Sequence, residues 1–170
     1  MSGQPLQLFS AEDIAARVGA IAKQIAERKP EIAVAILTGA FVFAADLLRA
    51  LSREGLDLGV EFLWLRSYGK AREAGGISVL VGANENVCGK KVLLIDGVLD
   101  GGHTLAKAQE LLREAGASSV ISAVAVDKQR KDAIAKADYV CFGGVTGFVV
   151  GYGMDDAGQG RGLPYIGRAD

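Results

Sequence analysis

The sequence is poor in several residues whose abundance would have pointed to a particular kind of protein. In 170 residues it has two cysteines, three prolines and one histidine. Cys88 and Cys141 stand far apart in the chain, with no CxxC pair. Neither a disulfide framework nor a zinc site is supported, and the expectation is two free thiols in a reducing cytoplasm. Scarce proline beside an apolar half of the composition excludes a disordered chain. There is no basic surplus: 19 Lys and Arg face 20 Asp and Glu, for a formal net charge of -1. No field is left to hold a nucleic-acid backbone, so nucleic acid is excluded as a partner. No uncharged run reaches the roughly 20 residues of a membrane span, and "MSGQPLQLFSAED" lacks the basic-then-apolar order of a signal peptide. The expectation is a cytoplasmic protein without a membrane partner, and the length suits one domain over residues 1–170.

What is present alternates. Ser10 with Asp13 opens a helix, Ile14, Val18, Ile21 and Ile25 recur at helical spacing, and Pro30 stops it. "IAVAIL" (32–37) is a continuous apolar run, as in a strand covered on both faces. Gly39 breaks it, and "FVFAADLLRAL" (41–51) reads as a helix. Strands follow at 60–68, in "ISVLVG" and at 91–96, with the polar, glycine-rich "GKAREAGG" (69–76) between the first two. An amphipathic helix over 104–116 ends at Gly116, a glycine suited to a C-terminal cap, and strands return at 119–127 and 138–142. Buried strands alternating with helices predict an α/β fold, a mostly parallel sheet flanked by helices. Ligands of such sheets bind beyond the carboxyl ends of the strands. Those ends carry Leu37-Thr38-Gly39, Asp96 to Thr104, and Asp127-Lys128.

The most informative stretch is "LLIDGVLDGGHTL" (93–105). Gly97, Gly102, His103 and Thr104 fit G-x-x-x-x-G-H-T, one substitution from the phosphate loop of nucleotide hydrolases. The match is deceptive, because histidine at neutral pH does not replace the loop's lysine and Asp100 opposes a polyphosphate. A glycine-rich turn that favours an anion, set beside two acids that should repel it, is reconciled by a sugar monophosphate. Its phosphate takes the backbone N–H groups of Gly101, Gly102, His103 and Thr104 at the helix start, and its hydroxyls donate to Asp96.

These residues resemble the signature of the type I phosphoribosyltransferases, in particular the members acting on hypoxanthine and guanine. "LTGAFVFAADLLRAL" (37–51) resembles the pyrophosphate loop and its helix, and "RSYGKAREAGG" (66–76) the mobile loop. "VDKQRK" (126–131) resembles the base-recognising segment, and "FVVGYGMDDAGQGRGLPYIG" (148–167) the C-terminal segment. The resemblance implies a core over about 8–145, with a hood from about 146–170 and N-terminal residues. It implies Mg2+-dependent transfer of phosphoribose from phosphoribosyl diphosphate to an oxopurine, in a homodimer or homotetramer. A catalytically weakened nucleotide sensor on the same scaffold is the competing reading. Where the family has adjacent acids this chain has Asp96 followed by Gly97, and Gly101 stands where a hydroxyl is common.

By the same resemblance Asp100 is the general acid/base at purine N7; alone it would read as a helix-capping aspartate. Lys128 donates to the six-position oxygen, where an isolated lysine would read as a solvated strand end. Phe148 stacks on the base and Val149 meets its edge, although an aromatic in "FVVGY" is more often core. Asp155, with Asp96, is a magnesium ligand, and Arg161 pairs with pyrophosphate. Thr38 and Gly39 offer N–H groups to pyrophosphate, with a cis peptide before Thr38. Ser67 and Tyr68 begin a lid. His103 stands alone as a helix-start residue and is no metal ligand.

Overall fold

The computed structural model describes residues 4–67 and 76–169. In chain order the elements are β1 (Leu6–Phe9), α1 (Ala11–Arg28), β2 (Ile32–Leu37), α2 (Phe41–Arg53), β3 (Gly59–Ser67) and β4 (Ile77–Val81). They continue with β5 (Lys91–Leu99), α3 (His103–Glu114), β6 (Ser119–Asp127), β7 (Tyr139–Gly143), β8 (Phe148–Val150) and β9 (Ile166–Ala169).

The main sheet has six strands in the order β4-β3-β2-β5-β6-β7, parallel throughout except for β4. Its centre is built by the continuous apolar runs. In β5 alternate residues serve opposite faces, as the two-residue period of a strand requires. Leu93 and Ile95 join Ile14, Ile25, Phe43 and Leu47 under α1 and α2. Val92 and Leu94 join Leu105 and Leu112 under α3. The helices therefore lie on both faces, which is why the central strands could be apolar without alternation.

Helix α1 starts as its sequence dictates. The Ser10 hydroxyl accepts from the Asp13 N–H at 3.1 Å, and the Asp13 carboxylate accepts from the Ser10 N–H at 2.9 Å, a reciprocal capping box. It ends at Lys29 in the left-handed region, just before Pro30.

A second, three-stranded antiparallel sheet has the order β1-β9-β8 and joins the two ends of the chain. Strands of three or four residues carry too little periodicity to stand out in the sequence. Two contacts tie this sheet and its loop to the core. Phe9 stacks on Phe142 with ring centroids 3.8 Å apart, and the Tyr152 hydroxyl donates to Asp46 of α2 at 2.8 Å. The long turn after β8 is thereby held over the carboxyl ends of β2 and β5. Among the described residues no helix is long and apolar enough to cross a membrane.

Candidate active site

A cleft of about 600 Å³ opens where β2, β5 and β6 end. Its walls include Thr38, Gly39, Ser67, Asp96, Asp100 and Thr104, and also Lys128, Phe148, Val149, Asp155 and Arg161. The strand ends at Leu37, Leu99 and Asp127, far apart in the chain, thus meet at the carboxyl edge of the sheet.

One wall is the turn into α3. Its N-cap is Gly102, at φ 83, with no side-chain cap bond and no acid in the first turn. A Cβ at Gly102 would meet the Ala135 backbone nitrogen at 2.7 Å, so only glycine allows both the turn and the close passage of the chain behind it. No side chain of the helix start therefore takes the first N–H groups of α3. Thr104 lines the cleft. The His103 side chain does not; it lies in a neighbouring recess with Lys107 and Glu110, on the outer stripe of the helix.

The two acids beside this turn are disarmed differently. Asp96 is buried, and its carboxylate accepts from the Gly97 N–H at 2.7 Å. Burial pushes its carboxyl up to about 7, against the opposite pull of that N–H. Asp100 is half exposed. Its carboxylate takes Lys128 Nζ at 2.7 Å on one oxygen and Arg130 Nη1 at 3.0 Å on the other. Partial burial raises its carboxyl, but the hydrogen bonds and charges of Lys128 and Arg130 outweigh this and hold it below the usual carboxylate value. Asp100 is therefore not a helix cap, and Lys128 is not a solvated strand end. Burial thus favours the neutral form of Asp96, while the charge of Asp100 is paired with two cations.

The facing wall is the loop between β2 and α2. The Leu37–Thr38 peptide is cis. The Gly39 carbonyl is wedged between two other glycines: a Cβ at Gly97 would meet its oxygen at 2.8 Å, and one at Gly153 at 2.9 Å. The position that lacks the second acid is thus the position where the loop carbonyl comes closest, and in this backbone no side chain fits there. Beyond it, Arg161 donates to the Gly153 carbonyl at 2.7 Å and pairs with Asp155 at 2.8 Å, while the Gly158 N–H donates to Asp155 at 2.7 Å. Phe148 is 51 % exposed at the cleft rim, an aromatic face that the core does not use, and Val149 is buried behind it. Ser67 ends β3 at the cleft; Tyr68 and the segment 68–75 lie outside the described residues.

Sequence reasoning missed Arg130, Asp132 and Trp64. Trp64 lines the cleft from β3. Arg130 sits in the basic run "DKQRKD" two residues after Lys128, and that proximity was the only signal available. A second cleft of about 610 Å³ lies against α1, α2 and the loop before β9, and shares Arg161. Its walls are mainly apolar, and its acid, Asp46, is already engaged by Tyr152 and Arg49. The convergence of unlike charged groups lies in the first cleft.

Residues 6–157 match the model of the phosphoribosyl transferase domain. The chain is 36% identical over 165 residues to the hypoxanthine-guanine phosphoribosyltransferase of Aquifex aeolicus, covering 94% of this chain and 91% of that protein. It is 32% identical over 163 residues to the hypoxanthine phosphoribosyltransferase of Escherichia coli K12, covering 92% and 90%. Its structure superposes with a TM-score of 0.88, at 28% identity, on the hypoxanthine phosphoribosyltransferase of Trypanosoma cruzi in complex with its product IMP. That superposition covers 96% of this chain and 93% of the other. With an uncapped glycine turn, a paired acid and lysine in one cleft, and a family match spanning most of its length, this chain belongs to the phosphoribosyltransferase family.

Proposed function

We propose that the chain works in purine salvage, transferring the 5-phosphoribosyl group from phosphoribosyl diphosphate to hypoxanthine or guanine. The products are IMP or GMP and pyrophosphate, and xanthine is a third acceptor by the same chemistry. The observation that carries this reading is the pairing of Lys128 with Asp100 inside the cleft that also holds the uncapped start of α3 and the exposed ring of Phe148. A phosphate docks on the N–H groups of residues 101–104, and Asp96 accepts from the ribose hydroxyls. The base stacks on Phe148, with Val149 at its edge. Lys128 donates to the six-position oxygen; a lysine has donors only, so adenine's amino group leaves it unpaired.

As the bond at the anomeric carbon breaks, positive charge grows on the ribose and negative charge on the leaving diphosphate. Arg161 and the N–H groups of Thr38 and Gly39 meet the latter. Asp100 exchanges the proton at N7. Ser67 and Tyr68 lead into the segment proposed to exclude water.

Among the described residues no three His, Cys, Asp or Glu side chains form a metal site. Asp155 and Asp96 are single carboxylates in the cleft, and that set fits a magnesium ion held by one or two carboxylates together with substrate phosphates. The ion would neutralise charge on the diphosphate. A cytoplasmic location suits the free thiols of Cys88 and Cys141. Assembly as a dimer or tetramer suits the apolar side chains exposed along β3 and β4, and sedimentation measures it.

The test is a panel: each nucleobase with phosphoribosyl diphosphate and magnesium, with nucleotide products separated and identified. Monophosphates are expected from oxopurines and not from adenine or pyrimidines. No product from any oxopurine overturns the reading. In the same assay Asp100→Asn is expected to lower kcat by roughly 10²–10⁴-fold, the range for a positioned proton transfer.

A further inference from the structure

Three features tie the segment after β6 to the turn before α3. The Lys128 N–H donates to the Leu99 carbonyl at 2.9 Å, the Ile134 N–H donates to the Gly101 carbonyl at 3.0 Å, and Ala135 passes close behind Gly102. These are backbone contacts and fix the relative height of the two loops. They do not orient a side chain. That task falls to a chain of four charges. Asp132 takes Arg130 with both oxygens, from Nε at 2.9 Å and Nη2 at 2.7 Å. The remaining nitrogen, Nη1, reaches one oxygen of Asp100, and Lys128 holds the other. The guanidinium is used on two sides, a geometry that a planar fork of donors allows and an ammonium does not.

The network is poorly suited to holding the fold together. Arg130 is 49% exposed, Asp100 45% and Asp132 69%, and ion pairs at such sites contribute little to stability. Two of its members, Asp100 and Lys128, line the cleft, with Arg130 and Asp132 behind them, and that placement suits a different role. In the function proposed above Lys128 donates to the base, and its ammonium is drawn away from Asp100 toward it. The departure strips a carboxylate of one of its two cations. Arg130 remains, so Asp100 keeps both its charge partner and the orientation of its free oxygen.

We propose that Arg130, braced by Asp132, is a positioning residue: it holds Asp100 in place while Lys128 exchanges its bond to Asp100 for one to the incoming base. Nothing need pass through Arg130 itself. Without it Lys128 is the sole cation on Asp100 and is released less readily, so the base binds more weakly. Once Lys128 has left, the carboxylate is free to turn, so the proton at N7 is exchanged less efficiently. Lys107, in the first turns of α3, is engaged by Glu110 and does not substitute.

The experiment compares Arg130→Met, Arg130→Lys and Asp132→Asn with the unmodified protein, measuring steady-state kinetics in each substrate and thermal melting. For Arg130→Met, kcat is expected to fall about tenfold or more and KM for the oxopurine to rise by a similar factor. KM for phosphoribosyl diphosphate should stay within about twofold. Arg130→Lys keeps the charge but reaches one carboxylate, and should recover part of both losses. Asp132→Asn, which removes only the brace, should fall between the unmodified protein and Arg130→Met. A shift in melting temperature without the split between the two KM values would mean a structural role and overturn the inference. So would wild-type kinetics in Arg130→Met. If the unmodified protein itself makes no nucleotide, it is the function proposed above that fails, and direct titration of hypoxanthine against the same variants decides whether Arg130 still governs binding of the base.

Discussion

The helices of this protein begin in two ways. Helix α1 is closed by its own side chains: Ser10 and Asp13 satisfy each other's N–H groups, and Glu12 adds a second acid to the first turn. Helices α2 and α3 begin on Ala40 and Gly102, with no side-chain cap and no acid in the first turn. The closed start does not line the cleft; both open starts follow strand ends that do. A capping group is the ordinary way to satisfy the N–H groups of a first turn. Where the chain withholds one, it keeps donors and a partial positive charge for a ligand. The acids follow the same division. Asp13 is used by the helix it caps. Asp96 and Asp100 stand before an open start and are compensated elsewhere, one by burial and one by Lys128 and Arg130.

The sharpest way to probe that division is through Asp96. Its carboxyl lies near 7 in the folded protein against an ordinary 3.8. Between those values Asp96 binds a proton in the folded chain that it lacks in the unfolded one, so the contribution of this group to stability is greatest below about 4. It falls as pH rises and levels off above about 7, and the loss is on the order of a few kcal/mol. Thermal or urea unfolding in metal-free buffer from pH 4 to 8 is expected to show this decline, and Asp96→Asn should flatten it. An equally steep profile in the variant would refute the burial account.

Next in size is an acid placed in an open start. At Gly101 a Cβ meets only the movable ring of His103, at 3.2 Å, so Gly101→Asp is expected to fold. Its carboxylate would compete for the N–H groups proposed to hold the phosphate. KM for phosphoribosyl diphosphate should rise by roughly 10–100-fold, the worth of about 1.5–3 kcal/mol for hydrogen bonds to a charged group. An unchanged KM would place the phosphate elsewhere.

The smallest effect belongs to the closed start. Ser10→Ala removes the cap of α1 and should cost about 1 kcal/mol of stability in denaturant unfolding. Its kcat/KM should equal that of the unmodified protein, since the capping box lies outside the cleft. A loss of activity there would erase the distinction between the two kinds of helix start.

Much of this was legible in the chain. The central strands announced themselves because a strand covered on both faces must be apolar at every position. The start of α1 did so because Ser10 and Asp13 act on neighbours three residues away. The glycine turn into α3 was readable because glycines, a threonine and a helix lie within a few residues. The small antiparallel sheet was not, since strands so short have no measurable period and their pairing joins opposite ends of the chain. Arg130 was passed over because its meaning depends on Asp100, thirty residues earlier, reaching the same point in space. Gly97 reads in sequence as a missing carboxylate; only the fold shows the Gly39 carbonyl filling that space.

By itself the amino-acid sequence determined the alternation of strands and helices, the glycine turn into α3 and the set of residues able to do chemistry. All of these depend on neighbours along the backbone. Tertiary structure alone decided the opposite shifts of Asp96 and Asp100, the partners of Lys128 and Arg130 and which glycines have no room for a side chain. Burial and Coulomb interactions act through distance in space, and distance in space is settled only when the sheet has formed.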